Sequence, residues 1–143
     1  MARWLAVVLG CLLASSGAHA AEKSKPIGYT ATVQDVSGTE TVVRNFRPYA
    51  KGKESERHFI GQRGAGQVVI PFRQVRTLEV RADQKKGNEV LVIVTDWKGE
   101  RQEFYASGWY MGELPVGQFF IEIPRIRKIT FHRPRGSSRA TKK

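Results

Sequence analysis

Cysteine and histidine are nearly missing from this chain of 143 residues: Cys11 stands alone, and the histidines are His19, His58 and His132. An internal disulfide is excluded, and the scattered histidines lack the paired spacing that a zinc site takes. Ser55 and Ser107 have no recognisable companion base, so no activated nucleophile is legible. The carboxylate pairs Glu54/Glu56 and Glu100/Glu103 lie among Lys and Arg, as solvated charge does. The glycine-rich stretch GQRGAGQ, Gly61 to Gln67, lacks the Lys-Ser/Thr ending and the following helix of a phosphate-cradling loop and reads as a flexible loop. No enzymatic activity, metal or cofactor is expected from this inventory.

Long apolar runs are also scarce. The first, Trp4 to Ala14, follows Arg3 and precedes Ala18-His19-Ala20, the order of charge, apolar core and small-x-small cleavage site of a secretory signal. Residues 1–20 are therefore expected to be a signal peptide cut after Ala20, which makes the mature chain periplasmic or extracellular. VLGC around Cys11 has the look of a lipidation box, but Leu12, Leu13 and Ala14 continue the apolar run past it. The longest later run, Val90 to Val94, falls far short of the roughly 20 residues that span a bilayer as a helix.

Acidic residues are few: 13 Asp and Glu face 24 Lys and Arg, for a net charge of +11. Of these only Arg3 belongs to the expected signal peptide, so 23 basic residues against 13 acidic ones leave the mature chain at +10. Such a balance implies acidic company, either an acidic protein or an anionic envelope polymer. Arg125, Arg127, Lys128, Arg133 and Arg135 concentrate that charge near the C terminus. No aromatic RNA-binding strand or recognition helix accompanies them, which points away from sequence-specific reading of nucleic acid.

What the chain does contain is an echo. GQVVIPFRQVRTLEV, Gly66 to Val80, returns as GQFFIEIPRIRKITF, Gly117 to Phe131, and ahead of each copy VQDVSG (Val33 to Gly38) and VTDWKG (Val94 to Gly99) share V-x-D-x-x-G. Asp opening a turn and Gly closing it mark a hairpin, and Pro71 and Pro124 mark a corner between strands. The expected fold is all-β, a small sandwich or closed barrel of about eight strands built from two sequence-similar halves, about 28–82 and 89–132. A polar leader at 21–27 and a disordered basic tail at 133–143 flank a single β domain, 28–132. Val90 to Val94 is apolar on both faces, as a centrally placed strand is. Arg47 to Gly66 and Ser107 to Gly117 read as loops.

Aromatic and basic residues at turns are the remaining candidates for function. Trp97, Lys98 and Arg101 at the second hairpin, Trp109 and Tyr110 in the second loop, and Arg63 in the first are expected to form a contact surface. For Trp109 and Tyr110 the competing reading is a plug at one end of the core. The function expected is that of a non-catalytic exported binding or accessory module on an acidic partner or envelope surface. The alternative is a structural subunit of an envelope or extracellular assembly joined through its strand edges.

Overall fold

The computed structural model describes residues 28–50 and 57–133. The expected signal peptide, the polar leader and all of the basic tail beyond Arg133, Arg135 included, lie outside them. Ten antiparallel strands form one curled sheet, a half-barrel. They are β1 (Tyr29–Asp35), β2 (Glu40–Tyr49), β3 (His58–Arg63), β4 (Gly66–Pro71), β5 (Val75–Lys86), β6 (Glu89–Asp96), β7 (Arg101–Ala106), β8 (Trp109–Glu113), β9 (Gln118–Glu122) and β10 (Ile126–Phe131). Their spatial order is β4-β3-β7-β6-β5-β10-β1-β2-β8-β9, which leaves β4 and β9 as open edges among the described residues.

The two D-x-x-G segments are hairpin turns, β1–β2 and β6–β7. Asp35 Oδ1 accepts hydrogen bonds from the Ser37 and Thr39 amides at 2.9 and 3.0 Å, and Asp96 Oδ1 accepts from those of Lys98 and Glu100 at 2.9 Å each. Gly38 and Gly99 both take φ of 87°, the left-handed conformation that closes such a turn without a Cβ penalty. The Ser37 hydroxyl and neighbouring amides hold the Asp35 carboxyl below its ordinary range. Each expected proline corner is a 3-10 turn, Phe72–Gln74 after Pro71 and Ile123–Arg125 with Pro124 inside, and Phe72 and Ile123 are buried there.

Two pairs of ladders match in register. Val33 faces Ile129 and Asp35 faces Ile126 in the β1–β10 ladder; Val94 faces Leu78 and Asp96 faces Val75 in β6–β5. In the β3–β4 hairpin Phe59 faces Ile70, and in β8–β9 Tyr110 faces Ile121. Val33, Leu78, Val80, Val92, Ile129 and Phe131 share the core face by alternation along their strands, and Val75 and Ile126 reach it too because the register shifts near the start of β5 and β10. At the core's aromatic centre, Phe46 stacks on Tyr110 at 4.9 Å and Phe72 meets Phe131 at 4.8 Å. All of Val90 to Val94 is buried, on both faces of β6.

Ten strands rather than about eight follow from β3 and β8, which occupy spans that read as loops. In each a glycine interrupts the apolar pattern, Gly61 in HFIGQR and Gly112 in WYMGE. These glycines are there for close approach. A Cβ on Gly61 would stand 2.8 Å from Phe104 Cβ, and one on Gly112 would overlap Val43 Cγ1 and stand 2.8 Å from the Arg44 carbonyl. The stretch from Gly61 to Gln67 is thus mostly a hairpin, and β2 reaches Tyr49, well into the first expected loop.

A sandwich would need two sheets and a closed barrel would need no edges; the described residues form one sheet with two edges. Curling still brings distant strands together. Only Ser107 and Gly108 connect β7 to β8, which stand six places apart in the sheet, with Gly108 at φ 113° and its carbonyl accepting from the Ile123 amide. Ile60 and Tyr105 from one end of the sheet and Tyr49 and Trp109 from the other line a common cavity of about 250 Å³ beside that crossing.

Candidate functional site

The β3–β4 hairpin is held to β7 at the Gln62–Tyr105 rung, while at the other end β8 follows β2 from Arg44–Glu113 to Tyr49–Trp109. The looser attachment opens a cleft of about 650 Å³. Val68 and Ile70 of β4 form one wall, with Val94 and Gln102 of β6 and β7 opposite. Arg73 and Gln74 close one end, and the β6–β7 turn, with Asp96, Trp97, Lys98 and Glu100, forms the rim.

Trp97 is clamped at this rim. Its indole N–H donates to the Arg73 carbonyl at 3.1 Å, and the Arg133 guanidinium lies over its ring, 4.7 Å from the centroid. A hydrogen bond at the ring edge and a cation on its face fix an aromatic plane that is half-buried rather than in the core. The cleft lining carries Arg73 and Lys98 against Asp96 and Glu100, and Arg133 tips the balance to positive. Asp96 is already engaged, since one of its oxygens closes the turn.

Of the residues singled out from the sequence, the structure brings Trp97, Lys98 and Arg133 to this cleft. Arg101, the next residue but two after Lys98, pairs with Glu79 Oε2 at 3.2 Å. It shares with Arg63, Ile93 and Glu103 a separate depression of about 450 Å³. Arg125 and Arg127 are exposed by the other 3-10 turn, where the Arg125 carbonyl accepts from the Val36 amide and Arg127 Nη2 donates to the Val36 carbonyl. Lys128 faces Glu79 across the β10–β5 ladder.

Trp109 and Tyr110 do not form one surface. Adjacent residues of a strand point to opposite faces, so Trp109 is 46% exposed while Tyr110, at 4%, lies in the core stacked on Phe46. Burial pushes the Tyr110 hydroxyl's pKa up. The expected pair thus divides into an outer-face residue and a core residue.

Sequence reasoning missed Val68, Ile70, Arg73 and Gln74. Pro71 marks only a corner in the sequence, and the polar pair Arg73-Gln74 after it is the one signal that this corner presents side chains outward. His132 Nε2 and Thr32 Oγ1 form a hydrogen bond of 2.8 Å at an exposed position. Among the described residues no group of His, Cys, Asp and Glu stands close enough to hold a metal ion, and no helix is long and apolar enough to cross a membrane. No protein-family model matches the chain, and neither a curated protein nor a solved structure is similar to it.

Proposed function

We propose that this chain is an exported, non-catalytic binding module that holds an anionic partner in the Trp97 cleft. The observation that carries the reading is the clamped indole: a ring fixed by Arg73 and Arg133 at the mouth of an open cleft of about 650 Å³. A preset aromatic plane offers stacking to a sugar ring or planar group, and nearby guanidinium and ammonium groups offer pairing to its acidic substituents. The net +10 of the chain after export draws such a partner in from solution. Export rests on the order of charge, apolar run and Ala18-His19-Ala20 in the first twenty residues.

The fold itself is, in this reading, two copies of one five-strand unit related by a pseudo-twofold axis. Its support is the strand order: exchanging β1 with β6, β2 with β7, β3 with β8, β4 with β9 and β5 with β10 turns the order into its own reverse. The cleft lies where β4 of one unit meets the β6–β7 turn of the other, and at the related positions Phe119 and Val36 stand in place of Val68 and Trp97.

The test is a titration of the exported protein with a polyuronate and, separately, with polyglutamate, at two salt concentrations. Trp97→Ala is expected to cost roughly 1–3 kcal/mol of affinity at either salt, the size of a lost stacking contact. Arg133→Ala and Arg73→Ala are expected to weaken binding most at low salt. Tighter binding of the polyuronate identifies a polysaccharide as the partner class, and of polyglutamate an acidic protein. Equal binding by Trp97→Ala and wild type would remove the cleft from the function.

A further inference from the structure

We infer that the open edge of β9 is a dimer interface, pairing antiparallel with β9 of a second copy of this chain. An exposed edge strand is ordinarily protected by a lysine, an internal proline, a bulge or covering chain. β9 reads QFFIE, with no lysine, proline or bulge, and its only charge is Glu122. The other edge, β4, ends in Pro71, which has no amide hydrogen to offer.

Backbone geometry decides which groups β9 presents. The Leu114 amide donates to the Gly117 carbonyl at 3.1 Å, which makes that pair the closing hydrogen-bonded rung of the β8–β9 hairpin. Rungs alternate in an antiparallel ladder, so Phe119 and Ile121 bond to Gly112 and Tyr110, while Gln118, Phe120 and Glu122 turn their N–H and C=O groups to the open side. Centring a twofold axis on Phe120 sets it opposite itself and sets Gln118 opposite Glu122 of the other copy. Every outward amide and carbonyl then finds a partner, and no like charges meet.

Side chains favour the same arrangement. Gln118, Phe120 and Glu122 also share the sheet's outer face, where Phe120 packs edge-on against Tyr49 at 5.3 Å and covers Met111 on β8. Tyr49, Trp109 and Phe120 are each 44–47% exposed, an aromatic patch that ends at the strand edge. The twofold places the two patches side by side, as an isologous contact requires. Self-repulsion of a basic chain is weak there. Arg47, on β2, would stand five strand spacings from its counterpart, about 24 Å, against a screening length of about 8 Å in physiological salt.

The experiment is sedimentation equilibrium of the exported protein over a concentration series, with disulfide trapping as a second readout. Wild type is expected to reach twice the monomer mass, Phe120→Lys to remain monomeric with its thermal transition retained, and Val69→Lys on β4 to dimerise like wild type. In the chain cut after Ala20, which carries no other cysteine, Phe120→Cys is expected to form a disulfide-linked dimer on mild oxidation, because directly opposed residues of a hydrogen-bonded rung lie about 5.5 Å apart at Cα, within disulfide reach. Val69→Cys is expected not to. A wild-type protein that stays monomeric throughout, or cross-linking at residue 69 instead of 120, would overturn the proposal. Higher salt should tighten this association while loosening capture of an anion at Trp97, so failure of one reading leaves the other open to its own test.

Discussion

Leu78 faces Ile129 across the β5–β10 ladder, with five strands of the sheet on either side of the seam between them. Leu78 is 1% exposed and Ile129 is wholly buried. Each is expected to cost about 2–5 kcal/mol when changed to Ala, the range for emptying a packed aliphatic site. Because they touch the same space, the double variant should cost less than the two single losses added together, and chemical denaturation of all four proteins measures the difference.

Gly112 and Gly61 occupy the same position in their hairpins but differ in what surrounds them. A methyl group at 61 meets side-chain atoms of Phe59 and Phe104; one at 112 meets Val43 and the carbonyl of Arg44, a backbone atom that cannot rotate away. Gly112→Ala is expected to lose roughly 1–3 kcal/mol or more, and Gly61→Ala less. Thermal melting of both variants checks the order, and equal losses would contradict it.

Ile70 and Ile121 differ in a way their sequence context conceals. Equivalent burial follows from the echo, yet Ile121 is 8% exposed and buried, whereas Ile70 is half-buried along the wall of the cleft. Ile121→Ala should therefore fall toward the 2–5 kcal/mol range and Ile70→Ala below it. Should the Trp97 cleft bind as proposed, Ile70→Ala weakens affinity as well, which a titration at a temperature where it is fully folded will register.

Alkaline titration should single out Tyr110. Its folded pKa is raised above the ordinary value near 10 by burial, because the phenolate loses its hydration in the core. A raised folded pKa leaves stability intact below pH 10 and removes it as pH climbs further, since the unfolded chain ionises first. Phenolate absorbance should rise in two stages, the later coinciding with unfolding, and Tyr110→Phe should eliminate the ionisation of that residue from the later stage.

Features that depend on local chemistry were readable in the sequence: Asp35 and Asp96 as turn acceptors, Pro71 and Pro124 at corners, Val90 to Val94 as a strand covered on both faces. Misreadings came where one residue type serves two purposes. Glycine commonly ends a strand, but at Gly61 and Gly112 it admits a neighbouring strand, so β3 and β8 look like loops in the sequence. The cleft was only partly visible because its walls come from β4, β6, β7 and a 3-10 turn, which meet only after the sheet curls. Trp109 and Tyr110 were separated by the alternation of a strand that had not been recognised as one.

The first strand described is also bonded to the last, β1 lying between β10 and β2, and the His132 amide donates to the Thr30 carbonyl beyond the end of that ladder. A chain made from its N terminus can zip up β6–β7 or β8–β9 as soon as each emerges, since those pairings are local. The seam is different. β10 must be present before β5 and β1 have anything to bridge them, so the five strands from β4 to β5 and the four from β1 to β9 have no ladder between them until β10 is made. Joining of the two sides is therefore expected late in folding, and loss of β10 should leave two sticky half-sheets instead of a slightly smaller domain.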